Sequence, residues 1–287
     1  MAGGRECRTS RLKDVLLWRK SLGISTLFCR AGKKTRADPN PRCIFSSLAD
    51  RYYLPELPEP GQEVLLPQDL GRHLRTVLRL RRGDRLQLFD GKGEEAQAEI
   101  QEAGRGGVRV RVLAKSKGGE APWRELELAF AVPKGSRLET LLAQATQLGV
   151  RRLQPLLFER SPKSARLRSI PPRWERILQA AAGQCRLDRL PLVLPPLPLR
   201  DWLQAPLPPQ AYIALPPARG TPILGPEPSR SGAALLVGPE GGFSPEEVEE
   251  AREGGLVPLC LAPTVLRIET AATVGLALLL AAGRREE

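Results

Sequence analysis

Residues Leu235–Glu247 read "LLVGPEGGFSPEE". A short apolar run bounded by turn residues is the pattern of a buried strand. Ser244, then Pro245, then Glu247 three positions after the serine is a capped helix start. Strand, glycine-rich loop and helix in this order form one unit of a parallel α/β sheet. The loop holds more than a turn needs. Gly238, Gly241 and Gly242 surround Pro239 and Glu240, and glycines at that density let bare backbone approach a bound molecule.

Two more strands end in comparable loops. "AYIALP" (Ala211–Pro216) runs into "ALPPARG" (214–220), and "LVPLCLA" (Leu256–Ala262) runs into "LAPTVLRIETAA" (261–272). Ligands of open parallel sheets bind outside the carboxyl ends of the strands. Three such loops therefore predict one shared cleft. The loop at 237–247 lacks the Gly-Lys-Ser/Thr of a phosphate-binding loop, and no GxGxxG opens its helix. Glu246 and Glu247 in the first helical turn disfavour an anion there. A neutral or cationic cofactor fits better. Arg267 and Glu269, just ahead of the apolar "TVGLALLLAAG" (273–283), offer an anion-binding cation and a hydroxyl- or proton-accepting carboxylate.

Working towards the N-terminus, strand and helix patterns alternate back to Trp123. Strands are expected at "ELELAFAVP" (125–133) and "RLQPLLF" (152–158). Helices are expected at 136–150, 171–185, 245–253 and 269–282. For the first of these, Ser136 and Glu139 read as a capping box and Gly149 as the terminator. The proline-rich passage 190–209 reads as a stiff connection inside this domain, with a polyproline II ligand as the other reading. Residues 51–117 differ. Strands at 63–67, on both sides of the turn Asp90-Gly91-Lys92-Gly93, and at 107–115 accompany one helix over 69–80. In that helix Leu70, Leu74, Val77 and Leu78 oppose Arg72, Arg75 and Arg79. A small β-barrel-like module follows, joined by the linker "SKGGEAP" (116–122). In "GVRVRVLAK" valines alternate with cations, so one face is buried.

The net charge is +12, but eleven Lys/Arg and three acids lie in residues 1–49, which therefore carry +8 of it. That segment has the composition of a transit peptide, of a basic disordered arm, or of sequence upstream of the true start. In the body, 72–117 and 151–189 are basic zones and 240–253 is acidic, so one face is expected to meet a polyanion. One histidine and no CxxC spacing argue against a metal site, and a reducing compartment is expected. No apolar run is long enough to span a bilayer.

"GPEGGFSPEEVEEA" with "LRIETAA" strongly resembles the RsmE-type 16S ribosomal RNA uridine-N3 methyltransferases of the SPOUT superfamily. The resemblance continues through "RYYLPEL", "RHLRTVLRLRRGDRLQLFDGKG", "ETLLAQATQLGVRRLQPLLFERS" and "RWERILQAAAGQCRLDRLP", covering nearly all of 51–283. It implies an α/β fold: a trefoil-knotted parallel-sheet methyltransferase domain (123–287) preceded by a PUA-like RNA-binding β-barrel domain (50–118), after an extension over 1–49. It implies S-adenosylmethionine, a sulfonium cation, held by the three loops: Leu215 and Pro216; Val237, Gly238, Pro239, Glu240, Gly241 and Gly242; Leu261, Ala262, Leu266 and Arg267. Homodimers acting on 16S ribosomal RNA, in the cytoplasm or in an organelle if 1–49 is a transit peptide, are implied too. The sequence departs from the family pattern at Leu215-Pro216-Pro217, where Leu-His-Pro is usual, at Leu261-Ala262 and at Gly183-Gln184.

Methylation at uracil N3 requires loss of the imide proton, so a base or an anion-stabilising cation is needed. The candidates are Arg267, Glu240 and Glu269. Arg160, Arg186 and Arg189 are candidates for RNA phosphates, extended by Arg72, Arg75 and Arg79. The alternatives are a non-catalytic RNA-binding assembly factor and a methyltransferase for another RNA nucleoside.

Overall fold

The computed structural model describes residues 51–118, 125–161, 167–217 and 232–283. The basic segment 1–49, residues 119–122 of the expected linker and residues 218–220 of the first loop lie outside them. Leu48–Glu287 is one compact unit. It contains two separate hydrophobic cores.

The smaller core belongs to a five-stranded sheet. Its elements are β1 (Arg51–Tyr53), β2 (Glu63–Leu65), α1 (Gln68–Thr76), β3 (Arg85–Phe89), β4 (Glu94–Gly104) and β5 (Gly107–Lys117). The strand order is β1-β3-β4-β5-β2, with β1 parallel to β3 and the other pairs antiparallel. Asp90 ties the β3–β4 turn: its Oδ1 accepts the N–H groups of Lys92, Gly93 and Glu94. Val108, Val110 and Val112 are fully buried, and each such side chain stabilises the fold by about 1.5–3 kcal/mol. The alternate cations of β5 face outward, where acids meet them. Arg111 pairs with Glu63 at 2.7 Å and Lys115 with Glu59 at 2.9 Å; the Glu59 hydrogen bond pushes the Lys115 ammonium pKa up.

The helix expected over 69–80 is shorter. It ends at Thr76, and Arg79 turns left-handed (φ 56°). Val77 consequently leaves the buried stripe and is 64% exposed, while Leu74 is buried.

The larger core is built on β6 (Leu126–Ala131), α2 (Ser136–Gln147), β7 (Arg152–Leu157), α3 (Pro172–Cys185), β8 (Leu192–Val193), β9 (Leu197–Pro198), α4 (Leu199–Leu203), β10 (Gln210–Leu215), β11 (Ala233–Val237), α5 (Pro245–Glu253), β12 (Val257–Cys260) and α6 (Ile268–Ala282). The sheet is parallel throughout, in the order β12-β10-β11-β6-β7-β8, with β9 also on β7. Every residue of β6 and β11 is buried, so both faces are covered. The proline-rich passage is internal: β8 and β9 extend the sheet, and the Gln154 amide donates to the Pro195 carbonyl at 2.8 Å. Trp202 donates to buried Glu127 at 2.8 Å, tying α4 to β6.

The Ser136–Glu139 capping box does not form. Gly135 (φ 64°) is the N-cap, Ser136 is already helical and no side chain caps the helix. Glu139 instead pairs with Arg173 of α3.

The two cores meet where α3 lies against β1. A Cβ on Gly183 would stand 2.6 Å from the Arg51 carbonyl oxygen, so only glycine permits this approach. Arg51 is ion-paired with Asp188 and Glu95 and stacks over the Phe89 ring at 4.6 Å. Gly183, a departure in which a carboxylate is missing, thus has a packing reason.

Candidate active site

β10, β11 and β12 end side by side: Ala214 pairs with Val237 and Leu215 with Cys260. The three loops that follow enclose one cleft of about 370 Å³, within the range of small-molecule pockets. Its apolar wall comes from Leu215, Val237, Leu261, Leu266, Ile268 and Ala271. Backbone of Gly238, Pro239 and Gly242 lines it too, and Arg137, Glu240 and Arg267 supply the charge.

The glycine loop is held from both sides. Gly242 (φ 72°) donates to the Pro239 carbonyl at 2.8 Å, closing a tight turn with Glu240 and Gly241 at its tip. The capping box read from the sequence is present: the Glu247 N–H donates to Ser244 Oγ and the Ser244 N–H to Glu247 Oε2. The second Glu247 oxygen accepts the Glu159 N–H at 2.8 Å. Arg160 donates to the Phe243 carbonyl at 3.1 Å, and Phe158 meets Phe243 edge-on at 5.6 Å. The segment after β7 is therefore stapled to the loop after β11. Glu246 is held below the ordinary carboxylate range by its own backbone N–H and the Ser244 hydroxyl, so the helix start remains anionic.

Of the twelve residues expected to hold a cofactor, eleven line the cleft. Gly241 does not; it backs onto Arg160, whose Cβ a methyl there would approach to 3.5 Å. Arg267 caps α6 through its backbone and lines the cleft. Among the described residues it makes no ion pair, so it does not pair with Glu269. Glu240 lines the cleft but is bound to Arg137, Nη1 to Oε1 2.6 Å. Glu269 stands apart: it lies in the first turn of α6, is 8% exposed, and does not line the cleft. Its Oε2 is buried with no hydrogen-bond partner among the described residues.

Arg137 is absent from the candidates read from the sequence. β6 is the fourth strand whose carboxyl end reaches this edge, paired with β11 at Phe130–Val237, and α2 starts just beyond it. The strand-end rule that found the other loops applies to this one as well.

The RNA candidates divide into three groups, all exposed. Arg160 stands on the rim of the cleft. Arg186 and Arg189 follow α3 at the meeting of the two cores, where the Arg189 guanidinium lies over Gly93. Arg72 and Arg75 belong to α1 and Arg79 lies just beyond its end, and Arg75 donates to the Gly104 carbonyl. Gly93 and Gly104 mark opposite ends of the eleven-residue β4. The second and third groups are thus separated by roughly 30 Å of strand.

Among the described residues no group of three or more His, Cys, Asp or Glu could hold a metal ion, and no helix is long and apolar enough to cross a membrane.

Residues 120–280 match the family model described as RNA methyltransferase domain, and residues 66–113 match the RNA methyltransferase PUA domain. The chain is similar to ribosomal RNA small subunit methyltransferase E of Mycobacterium bovis, 32% identical over 240 residues, 78% of this chain and 88% of the relative. It is 34% identical to the protein of that name from Synechocystis, over 81% and 78%. The crystal structure of ribosomal RNA small subunit methyltransferase E from Neisseria gonorrhoeae, bound to S-adenosyl methionine, superposes with a TM-score of 0.69 at 31% identity, covering 80% of this chain and 95% of that one. The parallel sheet with its glycine-loop cleft, the small sheet before it and these identities show that the chain belongs to the ribosomal RNA small subunit methyltransferase E family.

Proposed function

We propose that the chain uses S-adenosylmethionine to methylate uridine at N3 in small-subunit (16S) ribosomal RNA. The observation that carries this reading is the cleft at the carboxyl ends of β10, β11 and β12, built by the loops that the family resemblance assigns to the cofactor. The Neisseria relative, solved with S-adenosyl methionine, supports the same assignment.

The residues present fit that cofactor. An apolar wall suits the adenine ring, glycine backbone suits a ribose and an amino-acid arm, and Glu240 suits a cation. A Cβ on Gly238 would stand 2.6 Å from the Phe243 ring, so the wall has its shape only with glycine there. When bound, S-adenosylmethionine supplies an electrophilic methyl group on sulfur. Leu215, Pro216, Val237, Gly238, Pro239, Gly242, Leu261, Ala262 and Leu266 would hold it.

The protein's own part is to orient the uracil, take its proton and balance its charge. Neutral uracil N3 has no free lone pair. The Glu240 carboxylate, at the tip of the loop, accepts the N3 proton. The Arg267 guanidinium, which makes no ion pair among the described residues, stabilises the charge that develops on the flanking carbonyl oxygens. Glu269, buried in the first turn of α6 behind the wall, takes no direct part in the proton transfer. Arg160 binds a phosphate near the cleft, while Arg186 and Arg189 at the meeting of the two cores, and Arg72, Arg75 and Arg79 beyond them, reach more distant stretches of RNA.

A PUA-like domain over 50–118, a methyltransferase domain over 123–287 and a knotted path through the three loops belong to this reading. So do a cytoplasmic location and a homodimer. Val274, Ala277, Leu278 and Ala281 of α6 support the dimer, as an apolar stripe that the core leaves wholly or partly exposed.

Titration calorimetry with S-adenosylmethionine, followed by transfer of labelled methyl groups to small-subunit RNA, tests the proposal. Saturable binding and RNA labelling are expected. Folded protein that binds no cofactor would overturn it.

A further inference from the structure

The cleft contains one charged side chain that neither the sequence pattern nor the reading above gives a task. Arg137 is the second residue of α2. Helix N-termini favour acidic side chains, and an arginine there opposes the helix dipole. No side chain caps this helix either. Glu139 in the same turn is taken by Arg173 of α3, and the anion that meets Arg137 is Glu240, 103 positions further along the chain, at 2.6 Å.

The Arg137 and Glu240 side chains are 35% and 48% exposed, and ion pairs in that range contribute little to stability. The pair is not what holds α2 in place. α2 is anchored elsewhere, by buried Leu141, Leu142 and Ala145 and by Gln144, which accepts from Thr273 of α6 at 2.7 Å. A rigid helix thus extends one arginine to the tip of a glycine turn, where a long carboxylate would otherwise sample many rotamers. Local rules broken without a gain in stability mark functional positions.

We propose that Arg137 is the positioning residue for Glu240. It occupies Oε1 and fixes the side chain across the mouth of the cleft, leaving Oε2 to face the bound molecules. The inference rests on the proposed methyl transfer. In that reaction Glu240 takes the N3 proton and becomes neutral while Arg137 stays cationic, so the pair gains the one positive charge that the sulfonium loses with its methyl group.

The test is a double-mutant cycle in the full chain: Arg137→Ala, Glu240→Gln and both together, with Arg137→Lys as the conservative variant. Turnover, KM for RNA, cofactor Kd and melting temperature are read for each. Arg137→Ala should lower kcat about tenfold or more, with cofactor Kd within about threefold and the melting temperature unchanged. Arg137→Lys should restore most of the rate. The double variant should be no slower than Glu240→Gln alone. Multiplying losses, a lysine variant as slow as the alanine variant, or an Arg137→Ala enzyme with wild-type kcat would overturn the role of Arg137 while leaving the methyltransferase reading intact. Wild-type protein inactive on ribosomal RNA would overturn both.

Discussion

Gly238→Ala places one methyl group at the tightest point of the cleft. The new Cβ would lie 2.6 Å from Cε2 and Cζ of Phe243. Carbon atoms rest at about 3.5–4.0 Å, so the ring or the loop must move by roughly 1 Å. Phe243 has little room to retreat, because Phe158 stands behind it at 5.6 Å and Arg160 holds its carbonyl. Overpacking of this kind costs about 1–3 kcal/mol. Borne by the cofactor-binding conformation, that weakens S-adenosylmethionine roughly 5- to 150-fold. Gly241→Ala is the internal control. It sits in the same turn at a φ open to any residue, and its methyl would meet Arg160 at an ordinary 3.5 Å. Calorimetric titration of both variants, with melting curves, reads the difference. Gly238→Ala binding within twofold of wild type, or the two variants weakened equally, would refute the close-approach argument.

Gly183→Ala should destabilise by about 1–3 kcal/mol, since its methyl would press on the Arg51 carbonyl, with backbone on both sides. Chemical denaturation reads the loss, and cofactor affinity should not follow it. Glu247→Ala removes a cap and the acceptor of the Glu159 N–H together. A loss of about 2 kcal/mol is expected from urea unfolding, with weaker cofactor binding as the staple opens. Arg186 holds a left-handed φ of 60° at the end of α3, so Arg186→Gly should stabilise by about 1 kcal/mol. The same change should lower RNA affinity and reduce the slope of log affinity against log salt by about one.

Element types were legible from the sequence wherever glycine and proline punctuate the pattern. The strand at 233–237, the helix at 245–253 and its capping box could be read directly, because each depends on neighbours in sequence. The misses have a common cause. Ser136 matches a cap, but Gly135 takes the N-cap position with a left-handed φ, and local pattern cannot distinguish the two registers. The α1 stripe stops at Thr76 because Arg79 turns left-handed, an event no propensity announces. Gly183 looked like a lost carboxylate because its reason, the Arg51 backbone, lies 132 positions away. The cleft lining was readable as three strand-end loops. The Arg137–Glu240 pair, made between a helix start and a distant loop, needed the fold.

Methylation of uridine N3 is read out by nucleoside mass spectrometry. Purified full chain is incubated with unmodified small-subunit ribosomal RNA or subunits and methyl-labelled S-adenosylmethionine, and the RNA is then digested and mapped. Label is expected in 3-methyluridine at a single position. Label on a ribose or on another base, or no label from protein that binds the cofactor, would contradict N3 methylation.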